Sequence, residues 1–102
     1  MRLIEIAKSI KIDLEDVILK GILSIPENPG GIVIFSHGSG SSRLSPRNNF
    51  VAKLLNEQRF ATLLFNLLTE REDTVYENRF DINLLTQRLI KVTKWAKNNS
   101  LT

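Results

Sequence analysis

The chain has 102 residues, 42% of them hydrophobic and 25% charged, which suits a globular core, though a small one. Fourteen basic and 11 acidic residues give a formal charge of +3; they are scattered from Arg2 to Lys97, whereas a nucleic-acid footprint clusters on one face, so they read as a solvated surface. There is no cysteine, which excludes disulfides, thiolate catalysis and cysteine metal sites and suits a reducing cytoplasm.

Met1 to Ile6 has no secretory-leader pattern, and no run approaches the roughly 20 apolar residues of a membrane helix. A cytoplasmic protein without a membrane partner is expected. Residues 3–12 mix Leu3, Ile4, Ile6, Ile10 and Ile12 with Lys8 and Lys11, which predicts a strand. Asp13-Leu14-Glu15-Asp16 is a polar break. Val17 to Ile25 is β-rich again, so an antiparallel pair with one wet face is expected. Gly21 marks a bulge or a close backbone approach. Pro26-Glu27-Asn28-Pro29-Gly30-Gly31 has the composition of a turn.

Ile32-Val33-Ile34-Phe35 is a short continuous apolar run, as in a parallel strand covered on both faces. A Gly/Ser-rich loop follows, from Ser36 to Ser45. Ser45 suits an N-cap and Pro46 the first turn of a helix. Phe50, Val51, Leu54 and Leu55 share one face of that helix, which is expected to be its buried face. Phe60 to Phe65 is a second buried strand, and Thr69 to Asn78 a charged surface loop. Asp81 can cap a final helix, with Phe80 and Leu85 at staple positions. Ile82, Leu85, Leu89, Val92 and Ala96 form its apolar stripe, and Trp95 is expected to be partly buried. Lys91, Lys94 and Lys97 suit the helix dipole. The order is β-β-β-α-β-α in a single domain, an α/β class with a right-handed strand–helix–strand unit.

The chemistry concentrates in Ser36-His37-Gly38-Ser39-Gly40-Ser41-Ser42-Arg43. This loop follows a buried strand and precedes a helix, and ligands in open α/β sheets bind just past the carboxyl ends of strands. Its glycines permit sharp turns and bare N–H groups that can serve an anion or an oxyanion. A plain βα turn is the bland alternative. A dinucleotide fingerprint needs glycine where Arg43 stands, and a Walker A loop needs Gly-Lys-Ser/Thr. The remaining reading is an oxyanion loop, which begins His-Gly and donates a backbone N–H.

Three stretches carry a family resemblance: GIVIFSHGSGSSRLSPRNNFVAKLL, ATLLFNLLTERE and RFDINLLTQRL. Across roughly residues 17–97 the chain resembles the dienelactone hydrolase-like family of the α/β-hydrolases. The resemblance implies a partial α/β-hydrolase sheet, an antiparallel N-terminal hairpin followed by a βαβα unit, with the second buried strand between the hairpin and the first. It implies acyl transfer at an ester or lactone, by a serine or cysteine nucleophile, a histidine base and an orienting acid. His37, Gly38, Ser39 and Gly40 would form the oxyanion loop, with the Ser39 N–H as donor, and Ser41, Ser42 and Arg43 would lie toward the substrate. His37 would then organise the loop by a hydrogen bond rather than act as the base.

The sequence departs from the family pattern because it has no Gly-x-Ser-x-Gly and no cysteine. Residues 1–102 are therefore expected to be an N-terminal portion without nucleophile, acid or catalytic histidine, inactive alone. The partner of a completed enzyme would be a small acyl substrate, with no nucleic acid, cofactor or metal. Glu70, Glu72 and Asp73 lack a converging histidine and read as a solvated acidic loop. Arg43 and Arg47 could reach an anionic substrate or be solvated arginines. Two other functions compete: an interaction module using an open sheet edge, including pairing of two copies there, and a phosphate-binding protein using the Gly/Ser loop.

Overall fold

Ile10 and Ile12, and likewise Leu19 and Leu23, pack into a common core from alternating positions of the first two strands. In the computed structural model, which describes residues 4–35 and 43–98, these are β1 (Ile4–Asp13) and β2 (Ile18–Pro26). They pair antiparallel with Asp13 opposite Ile18. The polar break between them is a tight connection. Glu15 takes a left-handed φ of 77°, its N–H donates to Asp13 Oδ1 at 2.8 Å, and the Leu14 N–H donates to the Val17 carbonyl at 2.9 Å. Val17 thus belongs to the turn.

The remaining elements are β3 (Gly31–Phe35), α1 (Pro46–Glu57), β4 (Phe60–Phe65), α2 (Glu70–Asp73), a 3-10 turn (Tyr76–Phe80) and α3 (Ile82–Asn98). The sheet order is β1-β2-β4-β3, with β4 antiparallel to β2 and parallel to β3. The second apolar strand therefore lies between the hairpin and the first, as the resemblance implied. It is covered on both faces: Ala61, Thr62, Leu63, Leu64 and Phe65 are all buried. Leu63 and Phe65 share the main core with Ile12, Leu19, Leu23, Leu67 and Val92 of α3. Thr62 faces α1, where its Oγ1 accepts from Asn56 Nδ2 at 3.3 Å.

Gly21 is a close approach rather than a bulge. Its register is continuous with Ile10 on one side and Phe65 on the other. A Cβ there would lie 3.1 Å from the Leu64 carbonyl oxygen.

Several expectations are corrected. Phe50, Val51 and Leu54 are exposed, and α1 instead buries Ala52 and Asn56. Ala52 lets the helix approach the sheet closely, and Asn56 must reach the Phe60 carbonyl at 2.9 Å. At 3.6 residues per turn, that orientation sends positions 50 and 54 outward. β3 is half-buried throughout rather than covered, because among the described residues it pairs only with β4. Residues 69–78 are not a plain loop. The Thr69 side chain accepts from the Glu72 N–H, and Glu72 Oε1 accepts from the Thr69 N–H, a reciprocal capping box that starts α2. Ile82 is 70% exposed, and Arg88 takes a buried place on the inner face of α3. Phe80 is exposed, its ring 5.1 Å from that of Tyr76.

Other local expectations hold. Ser45 caps α1, accepting from the Asn48 N–H, with Pro46 next to it. Asp81 Oδ1 accepts from the Leu84 N–H at 3.1 Å at the start of α3. Trp95 is half-buried and packs against the core.

Candidate functional site at the carboxyl ends of the parallel strands

His37, Gly38, Ser39, Gly40, Ser41 and Ser42 lie outside the described residues; Arg43 lies within them. The frame that brackets them is clear. Phe35, the last residue of β3, pairs with Leu64 of β4, and the two strands run parallel, so their carboxyl ends share one side of the sheet. That is where α/β folds place ligand sites. Arg43 returns to the same place. Its N–H donates to Asn66 Oδ1 at 2.8 Å, and its carbonyl accepts from Asn49 Nδ2 at 2.8 Å. Asn66 follows directly on β4, and its own N–H donates to the Lys20 carbonyl at 3.0 Å.

Beside this frame is a cavity of about 360 Å³ lined by Ile18, Lys20, Asn66, Leu68, Thr69, Glu70 and Arg71. Its position follows from the register: β2 runs against β4, so the start of β2 lies at the carboxyl end of β4. Lys20 Nζ meets Glu70 Oε1 at 2.8 Å. That hydrogen bond, then the Lys20 charge and more weakly the Arg43 charge, holds the Glu70 carboxyl below its ordinary range. Arg47, by contrast, is exposed on the first turn of α1. An open groove of about 510 Å³ lies elsewhere, between the hairpin turn and α3, where Asp16 and Lys91 pair at 3.3 Å.

The segment that follows β4 is pinned from behind. Arg88 Nη1 donates to Glu72 Oε1 at 2.9 Å and to the Leu67 carbonyl at 3.0 Å, and Nη2 donates to Glu72 Oε2 at 2.6 Å. The Arg88 side chain is 8% exposed and that of Glu72 27%. The Arg88 hydrogen bond is the largest influence lowering the Glu72 pKa, to about 2, with the Thr69 N–H adding to it against partial desolvation. Glu72 is thus a paired carboxylate and not part of a solvated acidic loop. Among the described residues no His, Cys, Asp and Glu cluster could hold a metal ion.

Asn49, Asn66, Glu72 and Arg88 were missed by reasoning from sequence. The Thr69-x-x-Glu72 spacing was legible as a capping box. Arg88, three residues after Leu85 and four before Val92, lies on the apolar stripe, and that placement was the available sign of a buried partner.

The class defined by this arrangement is a mixed α/β fold matching part of a hydrolase-like sheet. Compared with solved structures, the chain is similar to a dienelactone hydrolase from Anabaena variabilis, with 44% identity, a TM-score of 0.89, and coverage of 95% of this chain and 47% of that one. Among curated proteins it is similar to two, from two strains of Mycobacterium tuberculosis, that carry the name "Putative phosphoribosyl transferase". Each is 59% identical over 75 residues, which cover 74% of this chain and 17% of the relative. The chain thus spans about half of the solved structure and about a sixth of the mycobacterial relatives. No family model matches. Among the described residues no helix is long and apolar enough to cross a membrane.

Proposed function

We propose that this chain is the oxyanion-loop half of a hydrolase acting on ester or lactone bonds. The observation that carries the proposal is the likeness to a dienelactone hydrolase over 95% of the chain, at 44% identity. The bracketing of residues 36–42 by Phe35 and Arg43 at the carboxyl ends of parallel strands supports it. In this reading the Ser39 N–H donates to the oxygen that becomes negative when a nucleophile attacks the acyl carbon. Such a donor contributes about 3–4 kcal/mol, because it is already oriented when the charge develops. His37 and Gly38 shape the turn, and Arg43 closes it. The sequence has no Gly-x-Ser-x-Gly and no cysteine, so we expect these 102 residues alone to hydrolyse no ester above background.

A hybrid tests this reading. The chain replaces the matching 47% of the Anabaena dienelactone hydrolase, and the product is assayed on a dienelactone and on p-nitrophenyl esters. Turnover is expected, with kcat falling about 100- to 1,000-fold in Ser39→Pro, which lacks the N–H, but not in Ser39→Ala. A folded hybrid without turnover, or one indifferent to proline at position 39, would overturn the proposal.

The name of the mycobacterial relatives favours a second reading, a phosphate-binding loop. Only 17% of each relative is matched, so the name describes a protein mostly made of other sequence. Phosphate-dependent stabilisation of the chain, abolished by Gly38→Val, would favour this reading over hydrolysis.

A further inference from the structure

Both backbone polar groups of Arg43 are held by asparagine side chains from different parts of the chain. Asn66 Oδ1 accepts from its N–H, and Asn49 Nδ2 donates to its carbonyl, each at 2.8 Å. Each asparagine has a further tie to the fold, Asn49 through its side chain and Asn66 through its backbone. Asn49 Nδ2 also donates to the Ser45 carbonyl at 2.9 Å, and the Asn66 N–H donates to the Lys20 carbonyl at 3.0 Å. Arg43 is therefore tied at once to α1, to the end of β4 and, through Asn66, to β2. The partner of Phe35 is Leu64, two residues before Asn66. Both ends of the Gly/Ser segment are thus referred to the same stretch of the most buried strand. Backbone outside helices and sheets gains such order only from side chains or water.

We infer that Asn66, with Asn49 as its counterpart, is a positioning residue for the proposed hydrolysis. It acts through the Arg43 peptide, setting where and in which direction the loop segment rejoins the fold. The inference rests on the hydrolase reading. A donor aimed at a developing charge loses much of its value when displaced by about 1 Å, at a cost of up to about 100-fold in rate. Releasing the Arg43 N–H should therefore lower the chemical step and leave substrate binding nearly unchanged.

Two measurements on the same variants test this. Amide hydrogen exchange on the full chain should show the Arg43 N–H exchanging at least about tenfold faster in Asn66→Leu, which has no acceptor, while Leu63 and Leu64 in β4 stay protected. Asn66→Asp keeps an acceptor and should keep the protection. In the hybrid enzyme, Asn66→Leu should lower kcat about 10- to 100-fold with KM within about twofold. Asn66→Asp should restore most of kcat. An active hybrid whose kcat ignores Asn66→Leu, although Arg43 exchange has risen, overturns the positioning role. So does unchanged Arg43 exchange in Asn66→Leu, which would mean that the contact does not hold the peptide. A wild-type hybrid without turnover overturns the hydrolase reading, and the positioning role with it, whatever the exchange data show.

Discussion

Neutralising Glu72 tests how the segment after β4 is held. Arg88 is nearly buried, and its guanidinium depends on Glu72 for two of its hydrogen bonds, the third going to the Leu67 carbonyl. Breaking a fully buried pair costs about 3–5 kcal/mol, because the surviving charge is left uncompensated. The Glu72 side chain is 27% exposed, so water offsets part of that, and about 2 kcal/mol is expected for Glu72→Gln. Glutamine keeps an acceptor for the Thr69 N–H, which separates the charge from the helix cap. For a chain of this size, 2 kcal/mol corresponds to a fall in Tm of roughly 8–16 °C. Arg88→Met should cost less, since Glu72 can then be solvated. The double variant should be more stable than the two single losses predict, by about 1 kcal/mol or more. The pH dependence has a definite sign. The pair holds the Glu72 pKa down to about 2 from 4.5, so its stabilisation is fully present above the unfolded value and is lost as pH falls toward 2. Denaturant melts between pH 5 and 2 should show this loss in the wild type and a flatter profile in Glu72→Gln. Glu72→Gln within about 0.5 kcal/mol of wild type at pH 7, with additive singles, would refute the reasoning.

Other perturbations probe the rest of the frame. Gly21→Ala should destabilise by about 1–3 kcal/mol, since its Cβ would press at 3.1 Å on the Leu64 carbonyl of the adjoining strand; an unchanged denaturation midpoint would contradict the close approach. Asn56→Leu should cost about 1–3 kcal/mol by leaving the Phe60 carbonyl and the Thr62 hydroxyl without their donor, and a neutral result would mean that apolar packing alone seats α1. The chain is also expected to self-associate, because β3 has one neighbour among the described residues and Phe50 and Leu54 lie exposed on α1. Light scattering over a wide concentration range should show mass rising with concentration and falling back in Val33→Lys; a strict monomer throughout would refute this.

Local order is largely legible in the amino-acid sequence. Ser45-Pro46 marks a helix start, and Asp81 marks another, because a short polar side chain next to an apolar period has one low-energy use. The run from Ala61 to Phe65, with Thr62 as its one polar member, is apolar enough to require cover on both faces. The place of the Gly/Ser loop after a buried strand follows from the same patterning. The strand order came from the family resemblance rather than from periodicity, which carries no information on which strands are neighbours.

What sequence could not decide is which member of each local pattern would meet which distant partner. On α1, four apolar residues outvoted Ala52 and Asn56 by hydrophobicity. The sheet chose Ala52 and Asn56 because one is small and the other reaches a carbonyl and a hydroxyl on β4. On α3, Ile82 is exposed whereas Arg88 is buried, its guanidinium donating to the Glu72 carboxylate and the Leu67 carbonyl. Asn49 and Asn66 look like ordinary polar residues until the fold brings Arg43 between them. Periodicity and turn composition determined the four strands and the two long helices, α1 and α3, since backbone geometry repeats along the chain, but not α2. The pairing of polar groups separated by 16 to 23 residues, as in Arg88 with Glu72 and Arg43 with Asn66, was decided only by the tertiary structure, because a buried hydrogen bond depends on where the whole chain places both of its ends.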